Sequence, residues 1–377
     1  MKTGRVILLL GILAAAVVTT AGCITPAEVS AEVTSVSVFG NAVLDIKPEV
    51  LADAGFSFGD MVSVSINGQT VTMPYLDGFY VKSGDSVLRG KPETKTELAV
   101  NYGNFAKEFG VAAGDTVTIT LKEKGGAEFL QNIGGEHYSS DRTDFPSDEA
   151  FANFRMVTLG EIAEGTLYRS ASPVNNESGR AETADNLAEA VSIRTVLNLA
   201  DTDEEVLAYT KEDDFASAYY LGLFEDDAIQ LSPISGDFDS PEFATSVTEG
   251  LVFLAENEPP YLIHCREGKD RAGLVTALVG ALMGADADAI IRDYMISYEN
   301  YYGLTEDDEA EYVYIADGNM GVFLRYLAGL HFFSKAEMRL ASFSMLRTST
   351  STLRRLLASM AGLPKMVWLL ATELVTP

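Results

Sequence analysis

Between Pro260 and Ile290 the chain reads PYLIHCREGKDRAGLVTALVGALMGADADAI, and this stretch constrains the fold more than any other. Tyr261 to His264 is a short apolar run entered through the turn pair Pro259 and Pro260, which predicts a buried strand. From Arg271 onward the apolar positions Leu274, Ala277, Leu278, Ala281 and Leu282 recur at helical spacing, with Gly284 as a stop. Cys265 therefore falls in a strand-to-helix loop. In such a loop the N–H groups of residues 266 to 271 can converge on an anion, and the helix N-terminus adds a positive dipole end. Arg266, Lys269 and Arg271 surround the thiol, and cations beside a helix N-terminus favour the thiolate form. Cys265 is a candidate nucleophile and phosphate a candidate ligand; the plainer alternative is a buried structural cysteine.

The string His264-Cys265-x-x-Gly268-Lys269-Asp270-Arg271-x-Gly273 resembles the phosphate-binding loop of cysteine-dependent protein tyrosine phosphatases. LYRSASP (Leu167 to Pro173), IRTVLNLAD (Ile193 to Asp201) and DYMISYENYYG (Asp293 to Gly303) resemble further segments of that family. The resemblance implies an α/β domain over 151–330, a central, mostly parallel sheet flanked by helices. It also implies phosphomonoester hydrolysis through a phosphocysteine, with phosphotyrosine proteins as substrates. Cys265 would attack phosphorus and Arg271 would clamp two phosphoryl oxygens with its planar fork. Arg266, Glu267, Gly268, Lys269, Ala272 and Gly273 would complete the substrate-binding loop. His264 would support the thiolate or orient the loop, or is an ordinary strand-end histidine.

The leaving oxygen needs a proton. Asp270 is one candidate, placed as in myotubularin-type lipid phosphatases, whose loops also end Asp-Arg. Asp237 and Asp239, in SGDFDSPEF, are the other candidates. Lys269-Asp270-Arg271 also resembles loops that handle phosphoinositides, which makes these a second substrate class. Ala272 stands where the commonest phosphatase pattern has Ser or Thr. No cofactor or metal is expected, since the only histidines are His137, His264 and His331. Two other readings stay open: a pseudophosphatase that binds phosphate without turnover, and a nucleoside-sensing lipoprotein.

Thr195 to Ala200 predicts a central parallel strand. Ser240-Pro241 predicts a capped helix with Phe243, Val247, Leu251 and Leu254 on its apolar face, packed beside the catalytic strand. The tyrosines of 294 to 302 are expected in the core or as hydrogen-bonded lids.

Upstream, residues 32–128 carry short alternating runs, among them Val62 to Ile66 and Val71 to Met73 on either side of Asn67-Gly68, a strong hairpin signal. With Phe79 to Val81, Leu98 to Val100 and Val117 to Leu121 they predict a small all-β barrel. SVFGNAVLDI and LAVNYGNFAKEFGVAAGDTVTITL resemble the C-terminal β-barrel of S-adenosylmethionine hydroxide adenosyltransferases. That resemblance makes Asn101 and Asn104 candidate nucleoside contacts, with ordinary turn residues as the alternative. Polar, glycine-bearing 129–150 reads as a linker.

The chain opens with Lys2 and Arg5, an apolar run from Val6 to Val18, and Thr20-Ala21-Gly22-Cys23. This predicts a signal peptide over 1–22, and the last four residues resemble a prokaryotic lipobox. Lipidation at Cys23, with 23–31 as a tether, would anchor the protein to the outer face of the cell membrane; an uncleaved anchor is the alternative. Formal net charge is −28, which argues against a nucleic-acid partner. Residues 331–377 hold six Lys and Arg against Glu337 and Glu373, a net +4 on a remainder with 21 basic and 53 acidic side chains. Two explanations of this basic tail are a changed reading frame and an amphipathic helix docked on the acidic body.

Overall fold

The computed structural model describes residues 26–91, 94–134 and 139–329. The segments read as signal peptide and as basic tail, and Cys23, lie outside the described residues. Among the described residues no helix is long and apolar enough to cross a membrane.

The N-terminal part is a closed barrel of seven strands: β1 (Glu28–Val36), β2 (Ala42–Leu44), β3 (Asp60–Ile66), β4 (Gln69–Leu76), β5 (Ser86–Lys91), β6 (Lys95–Val100) and β7 (Thr116–Glu123). They follow one another round the barrel as β1-β2-β6-β5-β4-β3-β7, all antiparallel except β4 with β5. Asn67 and Gly68 both adopt positive φ, 50° and 76°, so the β3–β4 hairpin turns as its sequence predicts. Along β3, Val62, Val64 and Ile66 point inward and are buried while Ser65 faces out. Three short helices fill the connections: α1 (Pro48–Asp53), α2 (Phe105–Phe109) and α3 (Glu128–Gly134). The run Phe79 to Val81 is not a strand; its apolar side chains serve a different purpose below. The stretch read as a linker begins inside α3, whose Ile133 is buried.

The second part is built on a five-stranded sheet ordered β11-β10-β12-β9-β8. In chain order its elements are α4 (Asp148–Phe151), β8 (Arg155–Met156), β9 (Leu167–Ser170), α5 (Ala181–Ala190), β10 (Thr195–Asn198), α6 (Asp203–Tyr209) and α7 (Ala218–Glu225). Then come β11 (Ile229–Leu231), α8 (Pro241–Glu256), β12 (Tyr261–His264), α9 (Asp270–Leu282), α10 (Ala287–Tyr302), α11 (Glu309–Ile315) and, after one π-helical turn, α12 (Val322–Gly329). Only β8 runs antiparallel. All four residues of β12 are buried, as a central parallel strand covered on both faces requires. Helix α8 is capped by the Ser240 hydroxyl and lies over β10, where Gly250 lets it approach Leu197.

The two parts share one core. Leu76, Tyr80, Val81, Val87 and Ala99 of the barrel region join the same buried cluster as Leu274, Tyr294 and Tyr302. The rings of Tyr80 and Tyr302 meet edge to face at 5.6 Å. Polar contacts reinforce the seam: Ser83 N–H donates to the Gly318 carbonyl at 3.0 Å, and the Lys82 ammonium lies 4.6 Å from the Tyr314 ring. Phe79 to Val81 thus spends its hydrophobicity near this seam rather than in a ladder.

Candidate active site

Cys265 follows directly on β12, is buried, 3% exposed, and lines a cleft of about 410 Å³. Arg266, Glu267, Asp270 and Arg271 line the same cleft. The barrel contributes to the lining as well: Phe39 from the β1–β2 connection, Arg89, Lys95, and Tyr102 from the turn after β6.

The loop's conformation follows from how its carbonyls are held. Arg266 O accepts from Ser172 N–H at 3.0 Å; Glu267 O accepts from Asn153 and from Tyr301, each at 2.9 Å. Gly268 O and Lys269 O both accept from Arg169 Nη2, at 2.7 and 2.9 Å. In a trans peptide the N–H points opposite to the C=O. Tying these four carbonyls to the scaffold therefore turns the N–H groups of residues 267 to 270 to the loop's other side, as an anion cradle needs. Arg169 is wholly buried and is itself held by Asp293 of α10 through an ion pair at 2.6 Å. Burial pushes the Asp293 carboxyl up, but Arg155 and Arg169 outweigh it and hold the group below its ordinary value. Gly268 sits at φ 67°, and a Cβ there would run into the Ser170 and Ala171 backbone, so only glycine closes the loop.

Arg271 donates from Nη1 to the Leu199 carbonyl at 3.0 Å, and its guanidinium stacks on Phe39 with 4.8 Å to the ring centroid. Asp270 opens α9 and accepts at Oδ1 from the Tyr102 hydroxyl at 2.9 Å and from the Tyr294 hydroxyl at 3.2 Å. Arg266 reaches the cleft rim, paired with Glu177 at 2.5 Å; Glu177 also pairs with Lys91 of β5.

Other residues do something different from their expected roles. The Lys269 ammonium is 3% exposed and turned into the protein. It donates to Tyr302 Oη at 2.9 Å, lies 4.9 Å from the Tyr298 and Tyr302 ring centroids, and sits 3.4 Å from Glu267 and 3.7 Å from Asp270. Burial pulls its pKa down, yet Asp270, Tyr302 and Glu267 more than compensate and hold it well above the usual lysine value. It is a buried cation bracing the loop, and it does not face the cleft. Ala272 and Gly273 are buried in the first turn of α9, where Gly273 makes room for Tyr294.

His264 donates from Nδ1 to the Cys265 carbonyl at 3.3 Å, with Tyr220 packed edge-on at 5.6 Å. Burial drives its pKa down to about 4 against the opposing pull of Asp201. It is therefore neutral near pH 7 and offers no positive charge to a thiolate. Asn101 is consumed by bonds to the Val81 carbonyl at 2.6 Å and Asn319 at 3.2 Å, and the Asn104 side chain caps α2. Both are structural. Asp237 lies outside the cleft lining, although its neighbour Gly236 lines it. Burial raises the Asp237 carboxyl above its ordinary value.

Arg169, Tyr301, Asn153 and Tyr102 were not legible as site residues. The segments LYRSASP and DYMISYENYYG held a signal for the first two, but nothing local marked Asn153 or Tyr102.

A cysteine-bearing loop between a central parallel strand and a helix, with its amides turned inward and an arginine at its end, is the arrangement of a phosphate-handling α/β domain. Residues 151–363 match the model of the tyrosine phosphatase family, and the chain belongs to that family. The match continues past residue 330, so the basic segment begins inside it. Residues 31–118 match the C-terminal domain of SAM hydroxide adenosyltransferase, which is the closed barrel. A crystal structure of an uncharacterized conserved protein from Thermotoga maritima is similar at 24% identity, over 24% of this chain and 35% of that one, with a TM-score of 0.23.

Proposed function

We propose that this phosphatase is exported and lipid-anchored at Cys23, and that it hydrolyses phosphotyrosine first and multiply phosphorylated inositides second, through a phosphocysteine. The observation that carries the catalytic part is the tethering of the four carbonyls of residues 266 to 269, which leaves the following amides free to hold a phosphoryl group beside Cys265. Sγ attacks phosphorus, the P–O ester bond breaks, and its electron pair passes to the leaving oxygen, which takes a proton from Asp270. Arg271 binds two phosphoryl oxygens by its fork, and a water molecule then releases phosphate from sulfur. Asp237, raised by burial and one residue from the cleft, is the alternative acid.

A second phosphate on an inositide would meet Arg266 and, from the barrel, Arg89 and Lys95, since these cations line the cleft and Lys269 does not. Each charge-assisted contact of that kind contributes roughly 1.5 to 3 kcal/mol. The presence of Cys265, Arg271 and an acid in one cleft favours turnover over a pseudophosphatase. The internal bonding of Asn101 and Asn104 disfavours nucleoside sensing.

The test is turnover of p-nitrophenyl phosphate by the native chain and by Cys265→Ser. Native turnover with none in the mutant is expected; turnover retained in Cys265→Ser would remove the nucleophile assignment. Fatty-acid labelling that vanishes in Cys23→Ser is expected for the anchor, and an unlabelled native protein would dispose of it.

A further inference from the structure

Tyr102 belongs to the barrel, yet its hydroxyl is part of a three-oxygen cluster at the catalytic loop. Tyr102 Oη lies 2.9 Å from Asp270 Oδ1 and 2.8 Å from Tyr294 Oη, while Tyr294 Oη lies 3.2 Å from the same Asp270 oxygen. Tyr294 Oη has a further contact, to Tyr298 Oη at 3.3 Å, and Tyr102 donates to the carboxyl. Burial, and then the nearby Asp270 charge, pushes the Tyr102 hydroxyl well above the usual tyrosine value, which keeps it a donor.

The backbone at Tyr102 is also unusual. Its φ is 56°, in the left-handed region that a bulky side chain seldom adopts, although Gly103 stands next to it. That conformation carries the ring across to the second domain. There it packs against Gly236, where a Cβ would meet Tyr102 Cδ1 at 2.8 Å, and lies 6.3 Å from the Phe238 ring. The side chain lines the cleft as well.

We propose that Tyr102 is a positioning residue of the phosphatase site: a barrel side chain that fixes the orientation of the Asp270 carboxyl, which gives its proton to the leaving oxygen. This rests on the reading of Asp270 as general acid. The geometry shows how the carboxyl is held: Oδ1 meets the two phenols, and Oδ2 lies 3.7 Å from the Lys269 ammonium. In the step itself the S–P bond forms, the P–O bond breaks, and the Asp270 carboxyl proton moves to the departing oxygen, leaving Asp270 as carboxylate with the Tyr102 bond in place. The barrel is then a working wall of the active site rather than a spacer.

The experiment measures kcat/KM of the full chain on phenyl phosphate, whose leaving group needs a proton, and on p-nitrophenyl phosphate, whose more acidic leaving group needs it far less. Tyr102→Phe keeps the ring and removes one hydroxyl. It should lower kcat on phenyl phosphate by about tenfold with KM changed by less than about twofold, the loss on p-nitrophenyl phosphate being much smaller. Asp270→Asn should show the same substrate pattern more strongly, and the double variant should be no worse than Asp270→Asn alone. Tyr294→Phe, which removes the other donor, should follow Tyr102→Phe.

Equal losses on both substrates in Tyr102→Phe, with Asp270→Asn still selective, would overturn the positioning role and leave the acid assignment standing. Additive losses in the double variant would also overturn it. An Asp270→Asn variant without leaving-group selectivity would remove the acid assignment, and the proposal with it.

Discussion

Tyr102 Oη and Asp270 Oδ1 lie 2.9 Å apart, although 168 positions separate the two residues in the chain. The bond is one of several that make the barrel and the phosphatase domain a single body, alongside the Tyr80–Tyr302 ring contact and the Ser83–Gly318 backbone bond. Calorimetry should therefore show one cooperative transition for both parts. Tyr80→Ala should cost about 3 kcal/mol and lower that one transition as a whole. Two resolved transitions, with only one displaced by the substitution, would refute a shared core.

Arg271→Lys should reduce kcat by roughly 10²- to 10³-fold even though the charge is kept. The guanidinium bonds the Leu199 carbonyl at 3.0 Å and stacks on Phe39, and the proposed clamp has it bind phosphate as well. An ammonium is a point charge that cannot do all three. Near-normal kcat would defeat the clamp assignment.

Lys269→Met should impair phosphotyrosine peptide and inositide hydrolysis alike. The ammonium faces Tyr302, Glu267 and Asp270 inside the protein, so its removal strips two carboxyls of their buried partner. A loss of about 3 kcal/mol in stability is expected, measured as the shift in the denaturation midpoint. A loss confined to inositides would place this lysine in substrate recognition instead.

His264 supplies a pH-dependent part of stability. Its folded pKa is about 4 against an ordinary 6.5, so between those values the unfolded chain binds the proton and the folded one does not. The neutral-side contribution, about 3 kcal/mol by linkage, is thus lost as pH falls from 6.5 toward 4. Asp185 acts oppositely: burial raises it to about 6, so its contribution is present below the ordinary 3.8 and fades as pH rises through 6. The comparison that isolates His264 is native protein against His264→Gln, each unfolded in urea at several pH values. The variant's stability should fall less steeply below pH 6.5; parallel curves would mean that this histidine titrates normally in the fold.

Much of the site was readable because its determinants are local. The apolar run Tyr261 to His264 became β12, the periodic Leu274 to Leu282 became α9, and Gly268 supplied the positive φ between them. The Asn67-Gly68 hairpin and the Ser240-Pro241 helix start formed for the same reason: a turn or cap is decided by a few adjacent residues. Phe79 to Val81 failed as a strand because apolar content alone does not say whether a segment joins a ladder or packs near a neighbouring domain. The stretch 129–150 read as a linker holds most of a short helix, since its glycine-bearing composition concealed a segment that buries Ile133.

The sequence by itself determined that a thiol and an arginine would sit at the two ends of a short strand-to-helix loop, since strand, turn and helix are fixed by neighbours a few residues apart. Only the tertiary structure decided which way each loop side chain faces. Arg266 and Lys269 are both basic and three positions apart, yet one reaches the cleft rim and the other is enclosed by tyrosines of α10. The partners that decide this, Tyr298 and Tyr302 for Lys269 and Tyr102 for Asp270, come from elements brought together by packing. Orientation is set by contacts between distant segments, and no periodicity or motif within either segment records them.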